Sequence, residues 1–397
     1  MIFTLEALEA KHGDALLLHY EKKKGEKISR ELIVIDGGPG GVFDKSLRRR
    51  LEQIREKRNP PEPLSIRLVM VSHIDDDHIN GILDLINLLI EQGDDNPHRL
   101  CDIQTLWYNS FDEILGNNQT EVLAAALSSA VKLAAAGDET FLLNLFSHSG
   151  AAAVAASVGQ GRELRDNAEA LGLWRNEPVG KLVALPGKKK TPYPIDGKLE
   201  FRVLAPTKAR LENLQEDWDK ELIKILEKKK KNPAEATALA ARFIDDSVYN
   251  LSSIVVIAEL EGKTMLLTGD ALADDILKGL KQTGLLKDGE TLHVDLLKMP
   301  HHGSIKNITE EFLRSVTADC YVFSANGKHK HPSRETLEML AEVRGGDAYK
   351  VYLTNHVAHA DEFYKEDRNK AGRNYEVITR QDPELSLFID LGEPYRD

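Results

Sequence analysis

The chain has 397 residues, of which 42% are hydrophobic, and its formal net charge of −12 disfavours nucleic-acid binding through overall positive charge. The two cysteines, Cys101 and Cys320, are far apart in sequence, which excludes a disulfide framework and favours a cytoplasmic protein. The longest uncharged apolar run, Leu85 to Ile90, is too short to span a bilayer and the N-terminus lacks a signal-peptide pattern, so we expect no membrane association.

Two apolar runs open the chain, Asp14 to Tyr20 and Glu31 to Asp36, and the charged segment between them indicates a turn. Asp36 precedes two glycines that permit a sharp change of direction, so it is either a simple strand-ending residue or part of a site. Residues 44–57 have the pattern of an amphipathic helix, and the proline-rich segment 59–63 ends it.

The most informative stretch is Ser72-His73-Ile74-Asp75-Asp76-Asp77-His78, which lies between an apolar strand-like run and the helix-like run 79–90. If the backbone stays extended here, alternate side chains share a face, so His73, Asp75 and Asp77 point one way and Asp76 the other. His78 joins them as the helix begins. Imidazoles and carboxylates at this density are typical ligands of divalent metals.

Helix capping is the simpler explanation of the aspartates, because Asp is a favoured N-cap residue. Capping requires only one Asp, for which we choose Asp76, and it does not explain a His at both ends of the motif. The stretch therefore predicts a metal site.

In the middle of the chain the sequence pattern changes from strand-like to helical. Residues 100–109 form a plausible strand, whereas about 118–173 is alanine-rich and helical. Strand patterns return near 181–206, and a second helical segment, 208–244, carries apolar residues at three- and four-residue spacing. That apolar face packs on the core, on the first helical segment, or on another subunit.

The C-terminal part supplies further candidate ligands. The strand 263–268 ends at Gly269 and Asp270, and the segment 297–304 carries the adjacent pair His301 and His302. Adjacent residues of an extended strand point in opposite directions, so one of these two His is expected to bind metal while its neighbour contacts substrate. Which of the two binds the metal is left open.

These motifs occur in the order found in the metallo-β-lactamase superfamily. His73 to His78 resembles its HxHxDH motif, in the HxDxDH form found in the hydrolase domain of bacterial DNA-uptake competence proteins. Thr268-Gly269-Asp270 resembles the strand end whose Asp bridges two metals, and His301-His302-Gly303-Ser304 resembles the segment with the last His ligand. Asn326 and His331 lie in a segment similar to the one that follows.

The resemblance implies an α/β protein with an αββα sandwich, in which residues 1–110 and 246–397 are two halves of one catalytic domain and residues 111–245 form a mostly helical insertion. It implies one or two divalent ions, Zn2+ or Mn2+, with Asp36 bracing the metal loop. Asn250 stands where better-known members have a His ligand, which implies either one firmly bound metal or a harder ion such as manganese. The expected metal ligands are His73, Asp75, Asp77, His78, Asp270, His301 and His302.

The function implied by the resemblance is hydrolysis by a metal-bound hydroxide, with a phosphodiester in DNA or a nucleotide as the favoured substrate. Asp77 or Asp270 would orient the nucleophile, and His301 or His331 would protonate the leaving oxygen. The side chains expected to hold phosphate oxygens are those of Lys298, Ser304 and Asn326. An acyl hydrolase acting on esters, thioesters or lactams, and a metal-binding interaction protein without turnover, are the alternatives.

Four clusters of basic residues provide local positive charge on this chain of negative net charge. Each is either a solvated surface or part of a groove for an anionic partner. They are Lys22 to Lys24, Arg48 to Arg50, Lys188 to Lys190 and Lys228 to Lys231. The helical insertion is the segment through which we expect a protein partner or a second copy of the chain to bind.

Overall fold

The computed structural model describes residues 1–25, 27–57, 62–110, 114, 151–185, 192–212 and 252–396. These residues form two mixed β-sheets that pack face to face, with helices on both outer faces. The fold is an α/β sandwich, so the predicted fold class is confirmed. Much of the expected insertion, residues 111–245, lies outside the described residues, and its boundaries stay a prediction.

The first sheet contains β1 (Phe3–Leu8), β2 (Leu16–Lys24), β3 (Lys27–Ile35), β4 (Leu64–Met70), β5 (Cys101–Ile103), β6 (Thr105–Trp107), β7 (Trp174–Arg175) and β16 (Ser386–Asp390). Its order is β16-β1-β2-β3-β4-β6-β7, with β5 also paired to β4. Neighbours from β16 to β3 are antiparallel, whereas β3, β4, β6 and β7 run parallel. The stretch Ser72 to His78, here called the metal motif, therefore follows β4, a strand that is parallel to its neighbours β3 and β6.

The second sheet contains β8 (Tyr193–Asp196), β9 (Leu199–Ala205), β10 (Val255–Leu260), β11 (Lys263–Leu267), β12 (Leu292–Lys298), β13 (Val316–Phe323), β14 (Tyr349–Leu353) and β15 (Tyr375–Thr379). The strands lie in sequence order across the sheet, antiparallel from β8 to β11 and parallel from β11 to β15. Asp270 and His301 thus follow two neighbouring parallel strands.

The helices are α1 (Arg48–Glu56), α2 (Asp76–Gln92), α3 (Ala151–Ala170), α4 (Ala273–Thr283), α5 (Glu310–Ser315), α6 (Arg334–Arg344) and α7 (Ala358–Asp367). In α2, apolar residues recur at helical spacing and are buried against the first sheet, among them Ile79, Ile82 and Ile86. Helix α3 packs on α2, where Asn167 donates a hydrogen bond to Asn87 (2.7 Å). No helix in the described part of the chain is both long enough and apolar enough to cross a membrane.

Three apolar clusters hold the layers together, one under each set of helices and one between the sheets. Strand β3 shows how the sequence builds them: Leu32 and Val34 face the helices, while Ile33 and Ile35 face the second sheet. This follows from the alternation of side chains along a strand whose two faces are both buried. Trp107 is fully buried between the sheets.

The ends of the parallel strands meet at one edge of the sandwich. There the backbone N–H of Ile254 donates to Ser72 O (2.8 Å), which joins the metal motif to the second sheet. The N–H of His301 likewise donates to Gly269 O (3.1 Å). These bonds bring together segments that are far apart in the sequence, and they fix the relative positions of the candidate ligands.

Candidate metal centre

The carboxylate of Asp270 lies at the centre of a buried cluster of imidazoles. Its oxygens are 3.3 Å from His78 Nε2, 3.4 Å from His301 Nε2, 3.6 Å from His302 Nε2 and 3.9 Å from His73 Nε2. Asp270, His73, His78 and His302 are almost completely buried, whereas the His301 side chain is 28% exposed. The cluster therefore opens to solvent on the side of His301.

All four rings are oriented in the same way, because Nδ1 of each is hydrogen-bonded to a protein oxygen while Nε2 faces the carboxylates. The bonds join His73 to Ser72 Oγ (3.1 Å), His78 to Asp36 Oδ2 (2.8 Å), His301 to Asn307 Oδ1 (2.8 Å) and His302 to Ser324 O (2.9 Å). In metalloproteins this arrangement fixes the ring and leaves Nε2 for the metal.

Several of the converging atoms lack a hydrogen-bond partner among the described residues. They are Nε2 of His73, His78 and His302, together with Asp270 Oδ1, and all four are buried. A buried polar atom without a partner costs about 1–3 kcal/mol, and native proteins rarely tolerate several of them side by side. Divalent cations bound by overlapping sets of these residues would satisfy these atoms, so the residues fit a metal centre of one or two ions.

The spacing of the ligand atoms supports the same conclusion. Asp77 Oδ2 lies 3.4 Å from His302 Nε2, and Asp77 Oδ1 lies 3.8 Å from His78 Nε2. In a tetrahedral site with metal–ligand bonds of about 2.0–2.1 Å, neighbouring ligand atoms are about 3.3–3.4 Å apart. Among the described residues, four overlapping sets have ligand atoms within 4.8 Å of one another, and two of them are Asp77, His78 and His302, and His73, His78 and Asp270.

The structure gives Asp75 and Asp76 positions in the chain different from those expected. Strand β4 ends at Met70 and α2 begins at Asp76, so the backbone is not extended as far as Asp77 and the alternation argument is wrong. The N-cap is Asp75, which accepts a hydrogen bond from the N–H of Asp76 (2.8 Å), because a cap must stand one residue before the first helical turn. Asp76 instead accepts a hydrogen bond from Asn80 Nδ2 (2.6 Å). The role of Asp75 as a ligand stays a prediction.

Asp14 is a member of the cluster that the sequence analysis missed. It is 1% exposed, its Oδ1 lies 3.4 Å from His302 Nδ1, and its N–H donates to Asp77 O (3.2 Å). Strand β2 is antiparallel to β3, and Leu16 pairs with Ile35. This register places Asp14, two residues before Leu16, at the same end of the sheet as Asp36.

Lys298 is buried and ion-paired with Asp14, and it is only 1% exposed. It therefore does not reach out to bind phosphate, as the sequence suggested, because its ammonium group is needed to balance a buried carboxylate. Asp14 lies 3.9 Å from Nδ1 of His78 and 3.4 Å from Nδ1 of His302, and ligand atoms of Asp14, Asp270 and His302 lie within 4.8 Å of one another. The position of Asp14 and Lys298 indicates a supporting role for these rings.

The backbone is strained at the same place. Asp36, His301 and His302 have φ angles of 57°, 46° and 55°, in the left-handed region that side chains other than glycine seldom adopt. Such residues cost about 1–3 kcal/mol each and concentrate at functional sites. Gly13 is required by packing, because a Cβ atom there would stand 2.0 Å from Asp77 O.

The charges in the cluster are strongly coupled. Burial, together with His78, lowers the pKa of His73 to about 3. Burial opposes the charged form of His302 as well, but the adjacent Asp270 and Asp14 raise its pKa to about 10. Burial would also raise the pKa of Asp270, yet the surrounding His301 and His302 hold that pKa well below its usual value. The buried carboxylates are therefore stabilised by positive charge close to them. Protons on the rings supply this charge, and a bound metal ion would take the place of those protons.

A series of basic side chains leads outward from the centre. The His331 ring lies 5.5 Å from the His301 ring, the His329 ring 6.4 Å from that of His331, and the His12 ring 6.2 Å from that of His329. Lys328 Nζ donates to His12 Nε2 (3.0 Å). Burial, reinforced by His301 for His331 and by Lys328 for His12, lowers the pKa of each of these two rings to about 4.

The remaining predicted site residues lie at different depths. Asp36 accepts hydrogen bonds from the N–H and Oγ of Ser72 (2.7 and 2.8 Å) and thereby braces the metal motif. Ser304 is buried behind the histidine pair, and its N–H donates to His301 O (2.8 Å). Asn326 is exposed, and its Oδ1 accepts a hydrogen bond from the N–H of Lys328 (3.1 Å). Asn250 lies outside the described residues.

Comparison with known proteins gives one partial similarity. No protein-family model matches the chain. ComE operon protein 3 of Bacillus subtilis (strain 168) is 30% identical to it over 98 residues, which are 24% of this chain. The aligned segment is 12% of the length of that protein, so this chain is similar to a small part of it.

Proposed function

We propose that this chain is a metal-dependent hydrolase that cleaves phosphodiesters, as a nuclease or a nucleotide phosphodiesterase. The observation that carries the proposal is the convergence of four Nε2 atoms on one buried carboxylate, in a cluster that opens to solvent at His301, beside the basic side chains around His331. The partial similarity to ComE operon protein 3 agrees with the motif resemblance to competence proteins.

The donor set suits one or two ions of Zn2+ or Mn2+, since imidazole and carboxylate bind both. When bound, such an ion activates water near neutral pH and polarises the phosphoryl group. The protein's part is to hold the ligands, and Asp270 and Asp77 place carboxylate charge between the rings. Asp36 and Asn307 fix the orientation of His78 and His301 from behind.

His301 and His331 are the residues best placed to contact the leaving oxygen. His301 is the most exposed of the four central rings, and the His331 ring is 5.5 Å away on the open side. The lowered pKa of His331, caused by burial and by His301, keeps this ring neutral at pH 7. A neutral imidazole has one nitrogen that donates and one that accepts, so His331 can hydrogen-bond the leaving oxygen.

The basic rim favours an anionic substrate over an ester or lactam. Lys328, His329 and Lys330 are exposed, and they lie next to His331 in the loop after β13. On a chain with a net charge of −12, positive groups gathered at the mouth of one site raise the local concentration of anions there. Lys328 and Lys330 replace Lys298 as the lysines expected to contact phosphate oxygens.

The test is hydrolysis by purified protein loaded with Zn2+ or Mn2+, using bis-para-nitrophenyl phosphate, single- and double-stranded DNA, cyclic nucleotides, and ester and lactam controls. We expect phosphodiester cleavage that is lost on chelation and in Asp77→Ala. The double variant Lys328→Gln/Lys330→Gln should raise KM for DNA and change kcat much less, because these lysines bind substrate outside the ligand cluster. Turnover of esters or lactams without any phosphodiester cleavage would refute the proposal.

A further inference from the structure

We propose that a cavity at the edge of the first sheet, distinct from the metal centre, binds one nucleotide unit of single-stranded nucleic acid. Its volume is about 690 Å3, within the range of about 300–1,000 Å3 usual for ligand sites. The lining residues that carry the argument are Arg67, Gln104, Trp174 and Arg175, which come from or adjoin β4, β6 and β7. None of them belongs to the metal cluster.

The base would stack on Trp174. This side chain is 70% exposed, more than any other large hydrophobic residue among those described, whereas Trp107 is fully buried. Trp174 pairs with Thr105 of β6 and so stands on a strand and not on a free loop. A fixed, exposed indole is the usual platform for a nucleobase, because every base offers a flat face whatever its sequence.

The phosphate would bind Arg67. Its Nε donates to Ile195 O (2.9 Å), and its guanidinium also donates to the side-chain oxygen of Gln104. Both partners are neutral, so these bonds hold the guanidinium in place without cancelling its charge. Arg175 adds a second guanidinium, which donates to the hydroxyl of Tyr108 (3.4 Å). A planar, pre-oriented arginine is well suited to bind phosphate.

The chemistry narrows the class of ligand. An apolar ligand would not need two arginines, and a simple anion would not need an exposed indole. The acidic residue Glu177 also lines the cavity and disfavours a ligand with many negative charges gathered in one place. A single nucleotide unit combines one flat base with one phosphate. The choice of a nucleotide over other aromatic anions rests on the proposed function, whereas the existence of the site does not.

The test is a titration of the full chain, in EDTA so that no cleavage occurs, with an end-labelled oligothymidylate of about ten nucleotides and with thymidine monophosphate, in which tryptophan emission reports stacking and fluorescence anisotropy of the label reports affinity in every variant. Stacking on Trp174 should quench the emission of this exposed indole. Trp174→Ala should remove most of the quenching and weaken oligonucleotide binding about 5- to 150-fold, the range for losing one stacked base. Trp174→Phe should restore much of the affinity, and Arg67→Gln should weaken binding and reduce its dependence on salt.

The matched control is Ile28→Ala, which removes another exposed hydrophobic side chain (55% exposed) on β3, outside the cavity lining. If only the oligonucleotide quenches the emission, the site binds a nucleotide unit within a polymer. If thymidine monophosphate quenches it as well, a single nucleotide is sufficient for binding. Equal affinities in the wild type and Trp174→Ala would overturn the site. That failure is separate from a failure of the proposed function, because catalysis is measured with metal and small phosphodiesters.

Discussion

Replacing Asp36 by Asn tests how the buried centre is held together. Asp36 accepts three hydrogen bonds, from the N–H and Oγ of Ser72 and from Nδ1 of His78. A carboxylate can accept all three, because it has two oxygens and no proton to donate. Its φ of 57° is a conformation that Asn adopts more easily than most residues, so Asp36→Asn changes the chemistry with little change in backbone strain.

The size of the effect follows from counting donors. The amide of Asn has a single acceptor oxygen, and its NH2 group must face at least one of the three donors. At least one buried donor then loses its partner, which costs about 1–3 kcal/mol of folding free energy. His78 also loses the charged partner that orients its Nε2. Removal of such a partner typically weakens metal binding 10- to 100-fold, which is about 1.4–2.7 kcal/mol.

Two assays check these numbers. Competition with a chromophoric chelator measures metal affinity, and urea denaturation of the metal-free protein measures stability. Asp44→Asn is the control, because Asp44 is 75% exposed and lies outside the cluster. Metal affinity of Asp36→Asn within twofold of the wild type would refute the claim that Asp36 orients a metal ligand.

Three further variants probe other parts of the centre. Asp77→Ala should abolish metal binding measured by elemental analysis, whereas Asp76→Ala should retain it, because only Asp77 faces the imidazoles. Gly13→Ala should lower the free energy of unfolding by at least about 2 kcal/mol in urea, since its Cβ would meet backbone at 2.0 Å. Gly40→Ala, whose Cβ would meet nothing closer than 3.9 Å, should be nearly neutral. Lys298→Met should destabilise the protein by about 3–5 kcal/mol in thermal or urea unfolding, because it leaves a buried carboxylate unpaired.

The sequence was informative where local pattern determines position. Apolar runs marked the strands, and the polar residues that follow β4, β11 and β12 lie at one edge because parallel strands end on the same side. The order of the motifs in the family resemblance, and not strand direction, is what brought His73, Asp270 and the pair His301 and His302 into one predicted site.

The sequence was less informative where position depends on pairing and on exact element boundaries. Asp14 joins the site through antiparallel pairing of β2 with β3, which a single sequence does not specify. The predicted N-cap residue was Asp76. The structure has Asp75 in that position, because α2 begins at Asp76. The burial of Lys298 could not be predicted either, because Lys298 is ion-paired with Asp14, whose position depends on the pairing of β2 with β3.

The central claim is that the four imidazoles and two carboxylates form a metal centre. Calorimetric titration of metal-stripped protein with Zn2+ and with Mn2+ tests this most directly, with Asp270→Ala as the comparison because Asp270 contacts all four rings. We predict saturable binding of at least one ion per chain in the wild type, accompanied by proton release, and its loss in Asp270→Ala. Absence of binding in the wild type, or equal binding in the variant, would contradict the account.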